Sequence, residues 1–233
     1  MKTIVISLGG SVLVPDIGNN NIKQYRDILS SLKDICRIFI VVGGGGEARR
    51  YIGAARDLTI DEGTADEIGI LVTRLNATLL MHALSKDSFP QIPESYNDAL
   101  IAGESGKIVI MGGVTPAQTT DAVAAVLAER AGADLLINAT AVDGIYTADP
   151  RKDASAEKIP FLTPDELIEI VQTGRMDAGA NNVIDLVAAK VIQRSKVPMV
   201  VLDGRDPENV RTLIQTGKNN GSLVSYTPDP AVF

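Results

Sequence analysis

The sequence predicts an α/β protein, a three-layer αβα sandwich with a largely parallel central sheet, and three observations carry that prediction. Short apolar runs rich in Ile and Val recur at residues 4–8, 38–42, 108–111, 135–139 and 199–202. They are continuous rather than alternating, as expected of strands buried on both faces and covered by helices. Stretches of helical periodicity separate them, and three of the runs end in glycine-rich turns.

The first run, 4–8, leads into Gly9-Gly10-Ser11; the second, 38–42, into Gly43-Gly44-Gly45-Gly46; the third, 108–111, into Gly112-Gly113. At the carboxyl ends of parallel strands such turns aim backbone N–H groups and helix N-termini at anions. A single turn of this kind can simply relieve sterics, but three in one chain point to a shared anion site. Thr64 followed by Glu67 reads as a capping box, and Thr163-Pro164-Asp165-Glu166 as a second one with Pro at the first helical position. Asp206-Pro207 opens a further helix in the same manner. The helix after Thr64 sets Ile68, Leu71, Val72, Leu75 and Leu79 on one stripe, either core or a subunit contact.

The chain of 233 residues is near the upper limit for one hydrophobic core and is read as a single domain, 1–233. A net charge of −7 argues against a nucleic-acid partner, which demands a basic face, so any phosphate site must be local. Cys36 is alone and is read as a small core hydrophobe, with no intrachain disulfide or multi-cysteine metal site available. The N-terminal apolar run is too short for a signal peptide, and no run matches a membrane span of ~20 apolar residues, so the expected setting is cytoplasmic with no membrane partner.

Standard nucleotide motifs fit poorly. No Gly-x-x-x-x-Gly-Lys-Ser/Thr occurs, which disfavours a P-loop enzyme. Residues 43–48 satisfy a loose G-x-G-x-x-A pattern, but the acids that follow, Asp61, Glu62 and Asp66, surround a helix start rather than a strand end. The only histidine, His82, falls near the end of the Thr64 helix beside Met81 and Leu84, where a packed or capping role is expected, which disfavours Ser-His-Asp hydrolysis; a single histidine also excludes a multi-histidine metal site. Phosphoryl transfer remains, since it needs positioning and charge neutralisation more than a strong base.

Residues 6–11, 42–46, Gly112-Gly113 with 119–125, and Thr140 to Pro150 (TAVDGIYTADP) together resemble the amino-acid-kinase family, in its archaeal-type UMP-kinase branch. The likeness runs in order along nearly the whole chain, and the Asp-Gly-Ile-Tyr-Thr-Ala-Asp-Pro stretch is its most specific part. The resemblance implies the amino-acid-kinase fold, an acceptor-binding N-terminal part, an ATP-binding C-terminal part, and transfer from ATP with Mg2+ to UMP. On the ATP side it places Gly9, Gly10, Ser11, Gly45, Arg49, Thr140, Tyr146 and Asp149. On the UMP side it places Gly44, Asp66 at the ribose, and Val114, Thr115, Pro116, Ala117, Gln118, Thr119 and Thr120. Read locally, Asp66 is equally a first-turn helix acid, Tyr146 a core tyrosine and the threonines helix caps.

Two positions depart from the family. A lysine common in relatives two residues before the first loop glycine is Ser7 here, and a second, three residues before Asp185, is Asn182. Arg49, Asp121 and Asp185 are then the catalytic candidates, Arg49 as a source of transition-state charge or else an exposed helix arginine, and Asp121 acting through a magnesium-bound water or else a structural acid at a helix N-terminus. The resemblance also implies a homo-oligomer, a hexamer in such relatives. The alternatives within the fold are a non-catalytic nucleotide sensor, an anion-storage subunit, and an isopentenyl phosphate kinase. The last carries a histidine after the second glycine loop, and residues 46–50 contain none.

Overall fold

All five long apolar runs form strands. In the computed structural model, which describes residues 1–150, 152–172 and 184–228, the order is β1 (Lys2–Leu8), α1 (Gly10–Leu13), α2 (Ile22–Leu32), β2 (Cys36–Val42), α3 (Gly45–Asp57), α4 (Glu62–Leu84), α5 (Tyr96–Gly103), β3 (Val109–Met111), α6 (Thr120–Ala131) and β4 (Leu135–Thr140). There follow β5 (Ile145–Tyr146), β6 (Lys158–Ile159), β7 (Phe161–Leu162), α7 (Pro164–Gln172), α8 (Leu186–Ser195), β8 (Met199–Asp203), α9 (Glu208–Thr216) and β9 (Ser222–Val224). The seven-stranded sheet runs β3-β2-β1-β4-β8-β9-β7, parallel except where β9 meets β8. β5 and β6 make a separate antiparallel hairpin. The four strands of two or three residues at the carboxyl half are too short to show a hydrophobic period.

Burial on both faces has the expected cause. Along β1, Ile4, Ile6 and Leu8 enter a core with α2, α9 and the end of α4, while Val5 enters a second core with α5, α6, α7 and α8. These two cores are the outer seams of the three layers. Helix α6 is apolar nearly all round, with Ala122, Val123, Ala124, Ala125, Leu127 and Ala128 buried, so its small side chains let it lie close on the sheet. Cys36 is buried, and that burial pushes its thiol up to about 11, consistent with an inert core residue.

The chain leaves β1 towards β2 and β3 on one side and reaches β4 and β8 on the other, so the switch point lies at the carboxyl end of β1. Register fixes the neighbours there: Ser7 stands beside Val41 and Asn138, and Leu8 beside Val42 and Ala139. The first two glycine turns and the Thr140 segment therefore meet at one crevice.

Helix starts conform in part. At α7 the reciprocal box is complete, Thr163 N–H donating to Glu166 Oε2 at 2.7 Å and Glu166 N–H to Thr163 Oγ1 at 3.3 Å, with Pro164 first in the helix. Thr64 is not a cap. Helix α4 starts earlier, capped by Asp61, which accepts from Thr64 N–H, because an extended aspartate satisfies the first-turn donors just as well. At α9, Pro207 is itself the cap residue and Asp206 accepts from Glu208 N–H, a one-residue shift.

The α4 stripe is split. Val72 is buried, whereas Leu71, Leu75 and Leu79 are exposed and line an apolar cavity of about 350 Å3 with Ile17 and Tyr51. The expectation that nothing matches a membrane span needs correcting: by length and composition alone, residues 62–87 are long and apolar enough. That apolarity serves packing, since α4 lies against α2, α3, β2 and β3.

Candidate active site

The first two glycine turns interlock. A methyl group on Gly10 would sit 2.2 Å from Gly45 N and 2.4 Å from Gly43 O, so only a hydrogen at this position lets the two backbones touch. Gly43 N–H donates to Leu8 O at 2.9 Å and Gly9 N–H to Ala139 O at 3.0 Å, which ties both turns to β1 and β4. Gly45 has φ +65°, a left-handed conformation that glycine adopts without strain, and it opens α3. The positive end of the α3 dipole thus faces the crevice at the β1 switch point.

Helix α4 supports the turn after β2 and the loop after β3 from behind. Asn76 Nδ2 donates to Gly43 O at 3.0 Å and lies 3.4 Å from Gly44 O. One helical turn back, Thr73 Oγ1 accepts from Gly113 N–H at 2.7 Å. A further two turns back, Asp66 Oδ2 accepts from Ala117 N–H at 2.8 Å. Ala117 has φ +64°, which in a Thr115-Pro116-Ala117-Gln118 turn closed by Gln118 N–H to Thr115 O marks a type II turn with a residue other than glycine at the strained corner. Gln118 Oε1 accepts from Tyr96 Oη at 3.3 Å. Two loops that contain residues the resemblance assigns to UMP, the turn after β2 and the 112–119 connection, are thereby fixed to one helix and its neighbour.

At the α6 and α8 N-termini the carboxylates converge. Thr119 caps α6, accepting from Ala122 N–H, and its hydroxyl donates to Asp185. Asp185 in turn caps α8 through Val187 and Ala188 N–H. Ser7 is 3% exposed and its Oγ donates to Asp121 Oδ1 at 2.7 Å. Burial, helped by the Asp185 charge and only partly opposed by the Ser7 bond, drives the Asp121 carboxyl up to about 6 although some of the residue's surface opens on the crevice. Asn182 lies outside the described residues.

The segment after β4 is held by the β5–β6 hairpin. Tyr146 Oη donates to Asp143 Oδ1 at 3.0 Å, and Lys158 Nζ donates to Asp143 Oδ2 at 3.0 Å and to Asn220 O at 2.7 Å. Burial pushes the Asp143 carboxyl up, but those two donors outweigh it and hold the group below its usual range. Ser222 Oγ accepts from Ile145 N–H, and Gly204 N–H donates to Thr140 O. Asp149 is buried within the same segment. A polar cavity of about 260 Å3 lined by Asp143, Asp203, Asn209 and Lys218 adjoins this region, and none of the sequence-predicted site residues lines it.

The structure therefore gathers Gly9, Gly10, Ser11, Gly44 and Gly45 at one crevice and ties Asp66 to the 114–120 loop. Arg49 stands exposed in the second turn of α3 and makes no ion pair with a described residue. His82 is exposed in the last turn of α4. Sequence reasoning missed Thr73, Asn76, Asp143 and Lys158. The signal for the first two was present: polar residues, 7% and 5% exposed, on an otherwise apolar helix demand buried partners.

Comparison with known proteins agrees with this fold over nearly the whole chain. The model of the amino acid kinase family matches residues 2–203. A uridylate kinase of Methanoculleus marisnigri is 60% identical over 234 aligned residues, covering 99% of this chain and 100% of that protein. The crystal structure of a uridylate kinase from Archaeoglobus fulgidus superposes with a TM-score of 0.87 at 43% identity, covering 97% of this chain and 100% of that one. A UMP kinase structure from Bacillus anthracis gives a TM-score of 0.80 at 25% identity over 96% of both chains.

Proposed function

The chain belongs to the amino acid kinase family, and from that membership we propose that it is an ATP:UMP phosphotransferase, forming UDP and ADP in pyrimidine nucleotide synthesis. The observation that carries the reading is the interlock of Gly10 with Gly43 and Gly45, which sets two anion-facing turns against each other at the switch point. One turn suits a donor phosphate and the other an acceptor phosphate, at the short separation that in-line transfer requires. Relatives bearing the uridylate kinase name align with the chain over nearly its whole length, and they supply the acceptor's identity.

In this mechanism an oxygen of the UMP phosphate attacks the γ-phosphorus of ATP while the bond to the β–γ bridging oxygen breaks. The attacking oxygen is already anionic, so no base is needed. Gly9, Gly10, Ser11 and Gly45 hold the ATP phosphates, and Thr140, Tyr146 and Asp149 the adenosine. Gly44 and the 114–120 loop hold the UMP phosphate and base, with Asp66 at the ribose. Arg49 supplies mobile positive charge from α3. Among the described residues no group of three or more His, Cys, Asp or Glu side chains could hold a metal, so magnesium fits as part of the ATP substrate, keeping several waters. The exposed Leu71, Leu75 and Leu79 stripe suits a contact between copies of the chain, in line with a homo-oligomer working in the cytoplasm.

A coupled ADP-release assay with UMP, CMP and isopentenyl phosphate tests the reading. Turnover with UMP well above the other acceptors is expected. ATP and UMP binding by calorimetry without ADP release would replace it with a nucleotide sensor.

A further inference from the structure

Two of the side chains that α4 buries, Thr73 and Asn76, are polar, so each must spend its hydrogen bonds on partners inside the protein. Thr73 donates to Ile70 O in its own helix at 2.6 Å and accepts from Gly113 N–H at 2.7 Å. Asn76 meets two carbonyls instead, its Nδ2 standing 3.0 Å from Gly43 O and 3.4 Å from Gly44 O. The two carbonyls differ in what else holds them. Gly44 O also accepts from Ala48 N–H at the start of α3, at 3.3 Å, whereas Gly43 O belongs to a buried residue and has Asn76 as its only donor among the described residues. Within a trans peptide the C=O of one residue and the N–H of the next point in opposite directions. Drawing Gly43 O back to Asn76 therefore turns Gly44 N–H away from α4. That N–H has no acceptor among the described residues, and Gly44, unlike Gly43, is partly open to solvent. Glycine on both sides leaves this peptide free to rotate the other way, so a partner is needed to select one orientation.

We propose that Asn76 is the positioning residue of the second glycine turn: by holding Gly43 O it keeps Gly44 N–H aimed at the phosphate of the acceptor, without touching a substrate itself. The inference rests on the phosphotransferase reading, which gives Gly44 to UMP. Phosphoryl transfer depends on donors fixed in place before the reaction, and a backbone N–H that could swing away would have to be ordered at each turnover. Asn76 removes that freedom from the core side, where neither solvent nor nucleotide competes for its amide. The arrangement also says which substrate is sensitive. The contact with Gly44 O is long for a hydrogen bond, and that carbonyl is already held by α3, so Gly45 N–H on the ATP side keeps its direction without Asn76.

The test uses Asn76→Leu and Asn76→Asp in the full chain, two replacements of similar size that cannot donate to Gly43 O when the aspartate is ionised, one neutral and one negative. Calorimetry compares UMP with uridine, which has the same base and ribose but no phosphate. Both variants should bind UMP more weakly by about tenfold or more, the worth of one hydrogen bond to a charged group, and bind uridine as the wild type does. The KM for UMP should rise with it while the KM for ATP is little changed. Labelling with 15N gives a readout apart from turnover: the Gly44 amide resonance should shift on adding UMP to the wild type and stay in place in the variants. Equal losses for UMP and uridine in a folded variant would make Asn76 a packing residue and overturn the proposal. A loss in Asn76→Asp alone would come from the introduced charge and overturn it too, as would a wild-type Gly44 amide that ignores the phosphate. If the wild type does not turn over UMP, but its Gly44 amide shifts with inorganic phosphate and Asn76→Leu abolishes that shift, the positioning role stands and only the acceptor assignment falls.

Discussion

The two halves of the crevice are held in different ways. On the side the proposed function gives to the acceptor, one long helix reaches two loops: Asp66 and Thr73 of α4 bond to Ala117 and Gly113 of the 112–119 connection, and Asn76 to Gly43 of the turn after β2. On the donor side the supports are local, a two-stranded hairpin and a short tail joined through Asp143, Lys158 and Ser222. A helix of 23 residues packed along one side on α2, α3, β2 and β3 is stiff, so on the proposed reading acceptor geometry is set at a distance by the core. Donor geometry depends on partly exposed pairs. Substitutions should therefore separate the halves, and the junction between them should be the place where both fail.

The largest effect is expected at that junction. Gly10→Ala forces a methyl group to 2.2 Å from Gly45 N, a backbone atom that no rotamer can move aside. Both turns must shift, and a displacement of the order of 1 Å costs about a hundredfold in rate. A protein with native circular dichroism and turnover within tenfold of wild type would show that the turns move independently.

Arg49→Ala comes next. The side chain is free of ion pairs among the described residues, so its loss should leave stability intact and appear in turnover. If it carries transition-state charge, kcat at saturating substrates falls by more than about tenfold, corresponding to 1.36 kcal/mol. A change confined to the KM for ATP would mean uniform binding.

Asp66→Asn tests the α4 anchor. The amide oxygen can still accept from Ala117 N–H, so the loop stays in place while the charge that would hold the ribose hydroxyls is gone. Loss of a charged hydrogen-bond partner at ~1–3 kcal/mol predicts a KM for UMP raised by about tenfold, with ATP unaffected. Asp66→Ala should do more, because it also frees the strained Ala117 corner. Equal KM values for UMP in the wild type and Asp66→Asn would return Asp66 to a role in loop anchoring alone.

Much of this architecture was legible because it rests on local rules. Continuous apolar runs marked the strands β1, β2, β3, β4 and β8, and the glycine turns after β1 and β2 marked the crevice, since close approach of the two backbones dictates glycine. The Thr163 box was readable as four adjacent residues. What stayed hidden depends on long-range geometry. That Thr73 and Asn76 hold glycine turns 40 and 33 residues away follows only once α4 crosses behind β2 and β3. The start of α4 was misplaced because Asp61 and Thr64 are both good caps, and packing, not propensity, chose between them. The β5–β6 hairpin has too few residues to show a period.

The smallest effect probes whether the halves are truly separate. Lys158 donates to Asp143 and to Asn220 O, linking the hairpin that carries Tyr146 to the 218–221 segment, and its side chain is 32% exposed. A partly exposed ion pair is worth about 0–1 kcal/mol, so Lys158→Met, which keeps the stem but not the charge, should cost little stability. What it changes is Asp143: without the ammonium, burial is opposed only by Tyr146, so its carboxyl rises towards the ordinary range. Asp143 stays ionised at neutral pH, but without the ammonium its carboxylate is less fixed, so it positions Tyr146 Oη less firmly and loosens the ring that the proposed function sets against the base. The expected outcome is a KM for ATP raised by about twofold to fivefold, as 1 kcal/mol allows, with the KM for UMP unchanged. If the KM for UMP rises by the same factor, the hairpin and α4 share their load, and the acceptor loops are not set by the helix alone.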